Sequence, residues 1–177
     1  SPGTGGTTAT LGRYVRYRQH CTRVLCADAE RSVFFDFYQS GDASLRLDCG
    51  SRIEGIGRPR VEASFLPAVI DAMVKVPDAL SLAAMHYLAE HLGRRVGGSS
   101  GTNLIGALMA AQQMKAAGES GSIVAILCDG GERYATTYYD QAWLAGQGYE
   151  LEGLIAAVAA SVERGEALPA NILRANI

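Results

Sequence analysis

The sequence predicts an α/β domain built on a mainly parallel sheet, and three observations carry that prediction. Helically spaced apolar residues alternate along the chain with short continuous apolar runs. One of those runs, "RVLCAD" at 23–28, ends in a polar residue, as strands buried on both faces of a parallel sheet do. Capping residues and glycines stand where run and helix should join. Together these point to a βα alternation.

Residues 7–19 place Leu11, Tyr14, Val15 and Arg18 at helical spacing, and "RVLCAD" at 23–28 follows as a short apolar strand. "AMVKV" at 72–76 is a second strand, in which Lys75 alternates with valines and reads as a solvated edge position. Asp78 can cap a helix from about Ala79 to His91, closed near Gly93. A Gly-Ser-rich loop, "GGSSGTN" at 97–103, leads into a helix over 104–117, with Lys115 in its last turn and Gly118 after it. "SIVAILCDGG" at 122–131 reads as the best buried strand of the chain. From about Tyr149 the sequence looks helical nearly to its end, giving a domain over 1–148 and a helical extension over 149–177 packed on it.

The 177 residues are 48% hydrophobic with a net charge of −2, enough apolar material for one sizeable core. No basic excess addresses nucleic acid or an anionic membrane, and no apolar run reaches the length of a spanning helix. The expected partner is a small molecule or another protein. Cys21, Cys26, Cys49 and Cys128 show no ligand-like spacing, so no metal site is expected and a reducing cytoplasm suits them.

The chain opens "SPGTGGTT", a glycine-threonine loop placed directly before a helix. Bare backbone N–H groups and the positive end of the helix dipole there suit an anion, while an ordinary tight turn fits the same residues. The dinucleotide fingerprint is incomplete, because its sixth position is Thr8, and the lysine of an ATP-type loop is missing. Ser99 and Ser100 fit a helix N-cap. Gly57 reads as a plain loop glycine, Glu132 and Arg133 as an ion pair, and Tyr134, Tyr138 and Tyr139 as an aromatic cluster beyond the third strand's end.

Four segments in fixed order, "GTGGT" at 3–7, "RIEGIG" at 52–57, "GGSSGTN" at 97–103 and "ILCDGGERY" at 126–134, resemble the C-terminal half of the cysteine synthase and cystathionine β-synthase family. These are fold-type-II pyridoxal-phosphate enzymes. "IEGIGRPRVEASFLP" at 53–67 and "CDGGERYATTYYD" at 128–140 are most similar to the cysteine desulfhydrase branch. The resemblance implies a three-layer open sheet with helices on both faces. It assigns the cofactor phosphate to Gly3, Thr4, Gly5, Gly6 and Thr7, the pyridine nitrogen to Ser99, and the neighbourhood of the substrate to Gly55. A neutral hydroxyl at the ring nitrogen makes a weaker electron sink than a carboxylate partner would, which favours β-elimination over transamination.

The same resemblance requires a lysine bound to the cofactor as a Schiff base. The chain has only Lys75 and Lys115, neither in a matching segment, so no catalytic residue is assigned and the chain reads as the C-terminal part of a longer enzyme. The implied reaction is β-elimination of L-cysteine to sulfide, pyruvate and ammonia, in a cytoplasmic homodimer. Two alternatives stand beside it, β-replacement that makes cysteine from an activated serine, and a non-catalytic binding or assembly module.

Overall fold

The structure, a computed structural model, describes residues 1–168 and 174–176. It is mixed α/β and divides into two compact units, residues 1–76 with 173–177, and residues 77–172. Among the described residues no helix is long and apolar enough to cross a membrane.

The first unit is a small sheet with its helices. Helix α1, Gly6–Tyr17, starts where Gly5 turns left-handed and ends at Arg18. Its inner face is made small by Ala9 and Gly12, which lets the helix lie against the 3-10 turn Pro67–Val69. Strands β1, Leu25–Ala29, and β2, Ala72–Val76, pair in parallel from Leu25↔Ala72 to Ala29↔Val76. These match the two short apolar runs, and their side chains are buried on both faces as that composition predicts. Strand β3, Arg174–Asn176, adds antiparallel on the other side of β2. Lys75 therefore lies on the central strand, and the edge position its alternation predicts is not the one it takes. The sheet packs with α2, Phe34–Ser40, on a core of Cys26, Phe34, Phe35, Phe65 and Met73. The Phe34 and Phe65 rings stack at 4.3 Å.

The second unit is helical. Helix α3, Asp78–Leu92, and helix α4, Gly98–Ala117, are followed by Gly93 and Gly118 in left-handed conformation, the C-caps the sequence predicts. Asp78 is the first helical residue rather than the cap, which is Pro77. Helices α3 and α4 approach closely because Gly101 offers no side chain at Ser81, and Thr102 Oγ1 donates to Ser81 Oγ at 2.8 Å. Helices α5, Gln141–Gly146, and α6, Glu152–Arg164, complete the unit, with Asp140 capping α5 through Trp143 N–H at 2.7 Å. The helical reading of 149–177 holds over α6, whereas residues 174–176 are strand, and its part over 169–173 and 177 lies outside the described residues.

The run at 122–131 is not a sheet strand. Val124 is 90% exposed, and among the described residues its only strand-like pairing is the bridge Val96↔Gly130. A buried parallel strand needs neighbours to take its N–H and C=O groups, and apolar composition cannot supply them. Side chains of α4 hold the run instead: Asn103 Nδ2 donates to the Ile126 carbonyl at 2.8 Å, and Cys128 N–H donates to Ser100 Oγ at 2.9 Å.

Candidate functional site

In the first unit the glycine-threonine loop and the "EGIG" turn come together. Gly5, at φ 94°, is the N-cap of α1 and makes no side-chain capping bond, and no acidic residue stands in the first turn. The helix thus presents its opening N–H groups without a carboxylate of its own to neutralise them, a chemistry suited to an anion. Gly3 lies so close to the turn that a Cβ there would be 2.6 Å from the Gly55 carbonyl oxygen. Gly57 N–H donates to the Pro2 carbonyl at 2.9 Å, and Ser64 Oγ donates to the Thr4 carbonyl at 2.7 Å. Thr4, Gly6 and Thr7 remain exposed, so the groups assigned to a phosphate are open to one.

Gly57 is more than a loop glycine. At φ 70° a side chain is strained, and a Cβ would also meet the Cβ atoms of Ser51, Ala29 and Ser32 at 2.9, 3.1 and 3.1 Å. Gly55 also has a positive φ, 85°, but open space where a Cβ would stand, so of the two glycines only Gly57 is crowded by the chain itself.

The second unit contains Ser99. It is the second residue of α4, buried at 6% exposure, and Gly97 takes the N-cap position that the two serines were expected to fill. The segment entering the helix is tightly held. Tyr139 Oη donates to the Val96 carbonyl at 2.8 Å and accepts from Val96 N–H at 3.0 Å. Burial pushes the Tyr139 phenol up from its ordinary range. Asp129 packs its carboxylate against Gly97, accepts the Tyr134 hydroxyl at 2.7 Å, and takes the Gly97 N–H on its carbonyl at 3.0 Å. Of the expected tyrosine cluster, Tyr134 and Tyr138 stack at 4.7 Å, while Tyr139 meets His86 edge-on. Arg133 lies over the Tyr134 ring at 5.4 Å, a contact the ion-pair reading did not include.

Sequence reasoning missed a buried polar network in the first unit. Lys75 Nζ donates to the Ser32 carbonyl at 2.9 Å and pairs with Asp36 at 2.7 Å. Its register partner Asp28 is fully buried and accepts the Phe35 and Ala29 amides at 2.8 and 3.1 Å. The one signal available was an aspartate inside the apolar run "VLCADA". Burial pushes the Asp28 carboxyl from 3.8 up to about 6, against the pull of Ser32, the two amides and Lys75.

The sign of the resulting pH dependence follows directly. The unfolded chain releases this proton near 3.8 and the folded chain at about 6. Folding therefore keeps the proton between those values, and the unfolding free energy contributed by Asp28 falls as pH rises through that window. In urea melts the wild-type chain is expected to lose stability between these pH values relative to Asp28→Asn. Parallel pH curves for the two proteins would refute the assignment.

Comparison with known proteins agrees with these motifs. Residues 1–129 match the family described as pyridoxal-phosphate dependent enzyme. The L-cysteine desulfhydrase Cds1 of Mycobacterium tuberculosis is 53% identical over 156 residues, covering 88% of this chain and 42% of that protein. Cysteine synthase 1 of Emericella nidulans is 29% identical over 172 residues, covering 96% of this chain and 44% of the relative. Among solved structures, the hydrogen sulfide-producing enzyme Fn1055 of Fusobacterium nucleatum superposes with a TM-score of 0.60 at 25% identity, covering 77% of this chain and 38% of that one. The chain thus spans less than half the length of these relatives.

Proposed function

Because the chain belongs to the pyridoxal-phosphate-dependent enzyme family, we propose that it forms the cofactor-holding part of a lyase that eliminates sulfide from L-cysteine. The observation that carries this reading is the loop Gly3–Thr7, which opens α1 without a side-chain cap or first-turn acid and is closed against Gly55. In this reading the loop's N–H groups and the Thr4 and Thr7 hydroxyls bind the phosphate as neutral donors. Ser99 addresses the ring nitrogen and Gly55 borders the substrate. When bound, the cofactor supplies an electron-withdrawing ring that stabilises negative charge at the α-carbon of the amino acid.

Neither lysine of the chain is offered to that chemistry. Lys75 is engaged by Ser32 and Asp36, and Lys115 Nζ donates to the Gly165 carbonyl at 3.4 Å. The reading therefore assigns the lysine that takes the α-proton to a segment outside these 177 residues. Elimination is preferred over β-replacement because the desulfhydrase is far more similar than the cysteine synthase, 53% against 29%. A cytoplasmic homodimer is part of the proposal, supported by four cysteines that are free thiols and by exposed Leu11, Tyr14 and Tyr17 on α1.

Equilibrium dialysis of the chain against pyridoxal phosphate tests the cradle. Saturable binding is expected, displaced by inorganic phosphate, and weakened about fivefold in Ser99→Ala, the effect of one hydrogen bond of about 1 kcal/mol. Binding indifferent to phosphate would sink the reading.

A further inference from the structure

We infer that Ser32, oriented by Asp28, is a positioning residue that holds the Gly55–Arg58 turn and through it the glycine-threonine loop. The inference rests on the proposed role of that turn and loop in holding cofactor and substrate.

Ser32 is fully buried between β1 and α2, in none of the four motif segments. Its Oγ accepts Arg58 N–H at 3.2 Å and Phe34 N–H at 3.4 Å. A serine hydroxyl has one proton and two lone pairs, so accepting both amides requires the proton to point elsewhere. It points to Asp28, whose carboxylate receives the Ser32 hydroxyl. Asp28 is itself fixed by the amides of Ala29 and Phe35. Each member of the network is thereby satisfied in one orientation, and the lone pair aimed at Arg58 is the part of it that reaches the turn.

The turn is gripped at further points. Val33 N–H donates to the Arg58 carbonyl at 2.9 Å, so both backbone polar groups of Arg58 are taken by Ser32 and its neighbour. The Ser32 Cβ lies 3.1 Å from where a Gly57 Cβ would stand, which fixes the turn's depth as well as its hydrogen bonding. On the far side Gly57 N–H holds the Pro2 carbonyl at 2.9 Å, one residue ahead of Gly3. Asp28, Ser32, Arg58, Gly57 and Pro2 thus form a continuous chain from the sheet to the proposed phosphate loop. Lys75 grips the same residue from the backbone side, through the Ser32 carbonyl.

A residue that only stabilised the core would affect the turn no more than any equally destabilising core change. The test therefore compares Ser32→Ala with Asp36→Asn, which removes the partner of Lys75 while leaving the Ser32–Arg58 contact in place. Amide hydrogen exchange and equilibrium dialysis against pyridoxal phosphate are measured on the 177-residue chain. Ser32→Ala is expected to speed exchange at Arg58 and Gly57 about tenfold, with α3 unchanged, and to weaken cofactor binding about fivefold. Asp36→Asn is expected to lower the melting temperature without either effect. Unchanged protection of Arg58 in Ser32→Ala, or equal loosening of the turn by both variants, would overturn the inference. The exchange measurement needs no cofactor. If wild type fails to bind pyridoxal phosphate while Ser32→Ala still loosens the turn, the functional reading falls and the positioning role stands.

Discussion

Given pyridoxal phosphate and L-cysteine, the 177-residue chain is expected to release sulfide no faster than the free cofactor does. Removing an α-proton requires a base held at the substrate, and general acid–base catalysis by such a group contributes about 10²–10⁴-fold. The two available lysines are ill placed to supply it. The Lys75 side chain is only 12% exposed and its ammonium is committed to Ser32 and Asp36, so freeing it would break a short ion pair and take a donor from the carbonyl of the buried Ser32. Lys115 lies in the last turn of α4, held by the Gly165 carbonyl. Supplying the remaining portion of a desulfhydrase relative, in cis or as a second polypeptide, is expected to restore sulfide release. Steady release by the chain alone, abolished by Lys75→Ala or Lys115→Ala, would show that one of these amines does the work.

Gly5→Ala is expected to be the most damaging single substitution in the loop. At φ 94° an L-residue is strained by about 1–2 kcal/mol. The added methyl would also meet Phe65, 2.5 Å from its Cα and 2.8 Å from its Cβ, where no flexible side-chain end can give way. Overpacking of that kind costs about 1–3 kcal/mol. Since Phe65 stacks on Phe34 in the core, the damage reaches the sheet as well as the loop. The chain is expected to lose about 2–5 kcal/mol of unfolding free energy in urea melts, the sum of those two terms, and its binding of pyridoxal phosphate should fall below detection. Gly6→Ala is the control, because nothing lies within 4 Å of its would-be Cβ and the position is helical. Its stability should change by less than about 1 kcal/mol, in the direction set by alanine's better helix propensity. Equal stability of Gly5→Ala and wild type would show that the loop relaxes freely and is no preformed cradle.

What was readable from the residues was local. The runs at 23–28 and 72–76 became parallel strands, and the helices ended at Gly93 and Gly118, because periodicity and capping act within a few residues. The ordered glycine and serine motifs identified the family for the same reason, since each is a short segment whose chemistry depends on its own backbone. The apolar run at 122–131 misled because composition reports how apolar a segment is and says nothing of whether strands flank it. Its hydrogen-bonding partners are Asn103 and Ser100, contributed by the helix before it.

By itself the sequence determined the α/β class, the two parallel strands, the helices that end at Gly93 and Gly118 and the family, all consequences of interactions short along the chain. Tertiary structure alone decided where the isolated polar residues belong. Lys75 looked like a solvated edge residue until β3 closed the far side of β2, Ser32 carried no signal, and the aspartate inside the apolar run at 24–29 gained a partner only when the strand register set Asp28 beside Lys75. Gly57 looked ordinary until the fold packed Ser51, Ala29 and Ser32 around it. A buried charge or a crowded glycine is defined by neighbours tens of residues away, and local pattern cannot encode who those neighbours are.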